Sequence, residues 1–353
     1  MAREDMPDVI VLLPGITGSR LIGKDGRIIW GFSAGTLARI LLTRGRVLER
    51  DLFLSDDPID RDDLDDGIVA DALIPDLHLL PGLWKIDGYT RVAEMIKAGF
   101  KVEEGKNFFT FPYDWRRDNR VSARKLARAT HEWLESWRAS SGNTDARLIL
   151  VAHSMGGLVA RYFLECLEGW RVTRALITFG TPYRGSLNAL DTLANGLCKG
   201  PMGLIDLTST ARSFTAIYQL LPIYPCYDVG DGNLLRVGET SGIPNVDSEK
   251  ASAALAFHRE IEAAVEANRK ATAYLDAERG YRIYPVIGIA QPTNQSARPE
   301  GKGIRMLRSY EGEDLGGMAR CPRCRPSRSN SRKRPRACSR APSTARFRTR
   351  TPY

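Results

Sequence analysis

The sequence predicts an α/β fold, a mostly parallel sheet with helices on both faces and a cap inserted late in the chain. Three observations carry that prediction. Short, unbroken apolar runs recur, and strands buried on both faces read this way in parallel sheets. Stretches with helical apolar spacing separate them. Between the run ending at Phe179 and the one starting at Tyr281 lie about a hundred residues, too long for an ordinary connection.

Taken in order, Asp8–Leu13 (DVIVLL) reads as a buried strand stopped by the Pro14-Gly15 turn. Ala34–Leu42 reads as a short helix, and the acidic, aperiodic Asp51–Asp66 as surface loop. Tyr89–Ala98 has helical spacing and stops near Gly99. Asn107–Phe111 is a short aromatic strand, and Val121–Arg138 an amphipathic helix. Ala146–Ala152 is a strand with almost no polar face, followed by a helix over Met155–Leu167 and an apolar strand over Val172–Phe179. Gly180–Pro225 mixes turns with two short helical stretches. A long helix is expected over Ser248–Leu275 and a last core strand over Tyr281–Ile289. Residues 1–317 are read as one domain, with the cap insertion at about 186–280.

Composition narrows the function classes. At 353 residues and 43% apolar the chain is long enough for a large core and is not a disordered polymer. No stretch has the length and purity of a membrane-spanning helix. The start, MAREDMPDVIVLLPG, sets acids before a short apolar run that ends in a turn, unlike a cleaved secretion signal, so a cytoplasmic protein is expected.

The net charge of +9 misleads, because Met318–Tyr353 holds eleven Arg, one Lys and no acid. Without those twelve, 39 basic residues face 42 acidic ones, and the body is slightly acidic. Cys166, Cys198 and Cys226 in the body show no framework spacing and fit free thiols.

The chemistry concentrates at Val151-Ala152-His153-Ser154-Met155-Gly156-Gly157, between a predicted strand and a predicted helix. This is a small-x-Ser-x-Gly nucleophile elbow. The serine must sit on a tight turn for its hydroxyl to leave the sheet, and small neighbours let the backbone pass close by. A helix starting at Met155 aims backbone N–H groups at a developing oxyanion. A serine that merely caps a helix is the plainer reading of the same residues; the flanking strand and helix favour the nucleophile. His153 is read as structural.

Four segments, VLLPGITGSRL (Val11–Leu21), FPYDWRRD (Phe111–Asp118), VAHSMGG and LITFGTPYRGS (Leu176–Ser186), in that order resemble the lecithin:cholesterol acyltransferase family of α/β-hydrolases, including its phospholipase-type members. SFTAIYQLLP (Ser213–Pro222) resembles the family's cap. The resemblance runs from about Val9 to about Gly317. It implies an α/β-hydrolase fold, with Ser154 as acyl nucleophile and the backbone N–H groups of Ile16 and Met155 as the oxyanion hole. Asp114, Trp115 and Arg116 are read as a loop-pinning unit, and Thr181, Pro182 and Gly185 as pocket floor. The expected substrate is a lipid or other acyl ester, with an unassigned acyl acceptor and peripheral contact with lipid aggregates through the cap. No cofactor, no metal and no specific nucleic acid is expected.

The triad is incomplete in the sequence. Serine hydrolases of this order place an acid and then a His after the nucleophile. The histidines are His78, His131, His153 and His258, none beyond the last predicted strand. Where the family carries a GDGTVP-like turn with its acid, this chain reads Gly312-Glu313-Asp314-Leu315-Gly316-Gly317 and then departs. Restoring one base near Gly317 lets the codons of Met318–Pro322 spell D-G-T-V-P, and lets those around Ser343-Thr344 supply a His. The residues from 318 to 353 are therefore read as a frameshifted, disordered basic tail. Cys321-x-x-Cys324 with only Cys338 beyond makes a poor zinc site. The expected activity is serine acyl transfer or ester hydrolysis, impaired here for want of acid and His. The rival is a catalytically dead lipid-binding homologue.

Overall fold

A computed structural model describes residues 2–31, 35–36, 42–43, 45–75, 77–80, 84–86, 88–199, 205–230, 232–276, 280–288 and 292–313. The tail from 318 to 353 and most of the helix expected at Ala34–Leu42 lie outside these residues.

Among the described residues the central sheet has five strands: β1 (Val9–Leu13), β2 (Phe108–Thr110), β3 (Leu148–His153), β4 (Thr173–Phe179) and β5 (Arg282–Val286). Their spatial order is β5-β4-β3-β1-β2, and every neighbouring pair is parallel. All five residues of β1 are buried, which is why its sequence shows no polar face. Their alternation sorts them onto two sides of the sheet. Val9, Val11 and Leu13 join the larger core, with Leu158, Val159 and Leu164 of the helix that follows β3. Ile10 and Leu12 meet Val92, Ala93 and Ile96 of the helix Thr90–Gly99 on the opposite side. The strand order reverses between β1 and β3, and the crevice beyond the strand ends at such a reversal is where open α/β sheets bind ligands.

The main helices are α1 (Asn119–Ser141), α2 (Gly156–Cys166), α3 (Leu187–Asn195), α4 (Thr208–Ser213), α5 (Thr215–Tyr218) and α6 (Ser248–Asn268). Asp118 caps α1 by accepting from the Arg120 N–H, and Gly142 ends it in the left-handed region. Where two short helices were expected between Gly180 and Pro225, three form among the described residues. The helix expected over Ser248–Leu275 breaks after Asn268, and Thr272–Leu275 follows as a separate turn. The break serves a buried acid. Glu165, whose side chain is fully buried on α2, pairs with Arg161 at 2.7 Å. It also accepts from Asn268 Nδ2 at 3.0 Å, from the Tyr274 hydroxyl at 3.0 Å and from the Tyr281 hydroxyl. A straight helix would leave part of that carboxylate unpaired.

Two features escaped the sequence reading. Ser296–Glu300 and Gly303–Leu307 form an antiparallel hairpin in a second, four-stranded sheet with Tyr227–Asp228 and Leu234–Leu235. Their charges and Pro299 hide the strand pattern. The acidic segment begins inside a helix, Arg46–Leu52, and the rest is tied down rather than free. Buried Arg117 reaches Asp57 at 2.9 Å and the backbone oxygens of Pro58, Arg61 and Asp62. Among the described residues no helix is long and apolar enough to cross a membrane.

Candidate functional site

Ser154 sits at the C-terminal end of β3 with φ +48°, in the left-handed region that non-glycine residues avoid. Its N–H donates to the Phe179 carbonyl of β4 at 2.9 Å, and its carbonyl accepts from the Gly157 N–H at 3.1 Å. The turn is thus held from the neighbouring strand and from the helix it starts. The small residues around it are needed sterically. A Cβ on Gly156 would lie 2.3 Å from the Pro14 carbonyl oxygen, and one on Gly157 would lie 2.0 Å from Thr181 Oγ1. Only backbone without side chains lets the elbow meet both the loop after β1 and the loop after β4.

That loop after β1 is fixed in turn. The Pro14 carbonyl accepts from the Tyr113 hydroxyl at 2.9 Å, and the Gly15 N–H donates to the Tyr89 hydroxyl oxygen at 2.7 Å. The Gly15 carbonyl accepts from the Gly18 N–H at 3.0 Å. Tyr89 also meets His153 Nδ1 at 2.9 Å, so the residue read from sequence as structural joins the elbow to this loop. The N–H groups of Ile16 and Met155 donate to no acceptor among the described residues.

Ser154 and Ile16 line one cavity of about 330 Å³. Trp30 and Trp115 form part of its wall, and Leu207, Ala211, Phe214, Ile217 and Leu220 come from the segment expected to be the cap. These five side chains are buried, not presented to solvent. Pro182 also lines the cavity, Thr181 packs on the elbow, and Gly185 abuts the Leu221 carbonyl, close to where sequence placed a pocket floor.

Asp114-Trp115-Arg116 has the anchoring geometry expected of it. Arg116 is fully buried and pairs with Asp114 at 2.7 Å and Asp66 at 2.9 Å. Burial alone would lower its pKa, but the hydrogen bonds and charges of Asp114 and Asp66 outweigh this and raise it. Trp115 Nε1 donates to the Ser19 carbonyl at 3.0 Å, and its ring packs edge-on against Trp30.

Among the described residues no His, Asp or Glu lines the cavity. His131 is exposed on α1. His258 is buried on α6 with Nε2 2.8 Å from the Gln219 carbonyl, and burial holds its pKa below the usual value. The His78 side chain, and everything from Asp314 on, lie outside the described residues. No cluster of His, Cys, Asp and Glu among the described residues could hold a metal ion.

Residues 83–251 match the family described as lecithin:cholesterol acyltransferase. Lecithin-cholesterol acyltransferase-like 4 of Arabidopsis thaliana is 31% identical over 115 residues, 30% of this chain and 19% of that protein. Lysosomal phospholipase A and acyltransferase of Bos taurus is 32% identical over 111 residues, 31% of this chain and 26% of its own length. The Homo sapiens protein of that name is 31% identical over the same share. The matched stretch is thus about a quarter or less of these relatives. Among solved structures, a chain of the Tle4–Tli4 complex superposes with a TM-score of 0.49 at 13% identity, covering 88% of this chain and 85% of that one.

Proposed function

Because residues 83–251 match the lecithin:cholesterol acyltransferase family, we propose that the chain is built for acyl transfer from a lipid ester, with Ser154 as nucleophile on an α/β-hydrolase scaffold. The Ser154 oxygen attacks the ester carbonyl, and the carbonyl electrons move onto an oxyanion received by the Ile16 and Met155 N–H groups. Collapse expels the alcohol, leaving an acyl-enzyme that water or a second alcohol then cleaves. The observation that carries this reading is the left-handed Ser154 in the wall of a mainly apolar cavity. A helix-capping serine needs neither that strain nor that cavity.

The serine needs a base, and no His among the described residues lines its cavity. In this reading the chain as written turns over slowly, and one base restored near Gly317 supplies an acid and a His. That absence also keeps the rival in view, a lipid-binding homologue without turnover. The test expresses both versions and their Ser154→Ala variants. Short-chain ester hydrolysis should rise by orders of magnitude on restoration and vanish with Ser154→Ala. Equal rates before and after restoration would remove the frameshift from the account, and hydrolysis surviving in Ser154→Ala would remove the nucleophile.

A further inference from the structure

We infer that Tyr89 and Tyr113 are positioning residues, two buried phenols that clamp the Pro14–Gly15 peptide group and thereby aim the Ile16 N–H at the reacting carbonyl. This rests on the reading of Ser154 as nucleophile. The two tyrosines are far apart in sequence and enter from different sides: Tyr89 caps the helix Thr90–Gly99, and Tyr113 follows β2. Both are buried, at 6% and 3% exposure.

One planar group carries the Pro14 carbonyl and the Gly15 N–H on opposite edges. The Tyr113 hydroxyl donates to the first at 2.9 Å, and the Tyr89 oxygen accepts from the second at 2.7 Å. With both edges held, that plane cannot rotate. The next plane carries the Gly15 carbonyl and the Ile16 N–H. Its carbonyl accepts from Gly18 at 3.0 Å, so the Ile16 N–H points the opposite way. An oxyanion donor works by being fixed before charge develops, and here side chains distant in sequence do the fixing.

His153 completes the clamp. The Gly15 N–H donates to the Tyr89 oxygen, which leaves the Tyr89 proton to donate to His153 Nδ1 at 2.9 Å. Burial pushes the Tyr89 phenol up to about 12, so the proton is present at neutral pH. The residue before the nucleophile thus holds the loop that carries the opposing donor. Gly15 must be glycine for the same closeness: a Cβ there would lie 2.9 Å from Ser154 Cβ and 3.0 Å from His153 Nδ1.

The test has two readouts on the full chain. The first is amide hydrogen exchange at Gly15, which needs no turnover. Tyr89→Phe should lower its protection at least tenfold while protection across β1 is unchanged. The second is the residual hydrolysis of a p-nitrophenyl ester, measured again with one base restored near Gly317. Tyr89→Phe and Tyr113→Phe should each lower kcat about tenfold with KM unchanged. His153→Leu should match Tyr89→Phe, His153→Asn should restore most of the rate through its Oδ1, and the Tyr89→Phe/His153→Leu double variant should lose no more than either alone. Unchanged Gly15 exchange in Tyr89→Phe overturns the clamp. So does a loss confined to KM, or additive losses in the double variant. Failure of the Ser154 reading shows separately, as hydrolysis that survives Ser154→Ala.

Discussion

The Trp115 ring stands edge-on against Phe214, with centroids 5.6 Å apart and planes at 79°. This contact joins the PYDWR loop to the segment between β4 and β5, and both rings line the cavity at Ser154. Phe214→Ala deletes a buried aromatic at a junction and should cost about 3–5 kcal/mol. Urea unfolding reads the loss, and a midpoint shift worth under 1 kcal/mol would mean the segment carries little of the core's stability.

Cavity size offers a second prediction. Ala189 and Ala211 lie in the wall and are nearly buried. Ala211→Phe fills space that an acyl chain would take. Hydrolysis of long-chain p-nitrophenyl esters should fall about tenfold or more, while that of the acetate ester changes little. Equal losses on both esters would place the acyl chain elsewhere.

The arginine anchor gives a third. Arg116→Met leaves Asp114 mostly buried without its cation, and breaking such a pair by removing one partner costs about 3–5 kcal/mol. The Arg116→Met/Asp114→Asn double variant should recover a substantial part of that loss. Denaturant midpoints for both variants check it.

His258 sets an acid limit. Burial lowers its folded pKa, so the unfolded chain takes up the proton first. Stability from this residue is intact above the unfolded value of about 6.5 and is lost as pH falls from there toward the lowered folded value. His258→Gln, which keeps a donor for the Gln219 carbonyl, should flatten that part of the stability–pH curve. An unchanged slope would assign the acid sensitivity to other groups.

The core strands could be read from sequence because β1 is apolar throughout and β3 and β4 each hold an unbroken apolar run, Leu148 to Ala152 and Ala175 to Ile177, and the elbow because small residues flank one serine between a strand and a helix. The Ser296–Leu307 hairpin could not, since its strands are half-exposed and mix Arg and Glu with Pro299. Nor could Tyr89. It looks like any aromatic at a helix start until the fold brings it to Gly15, 74 residues away. The role of Glu165 was hidden for a similar reason. Its partners Asn268, Tyr274 and Tyr281 are distant in the chain, and the helix break that gathers them leaves no mark in apolar spacing.

The left-handed backbone at residue 154 sets stability against the side chain it carries. A serine held there costs roughly 1 kcal/mol or more relative to an unstrained backbone, and glycine would relieve most of that. One substitution, Ser154→Gly, is therefore expected to remove the hydroxyl and to stabilise the elbow at once.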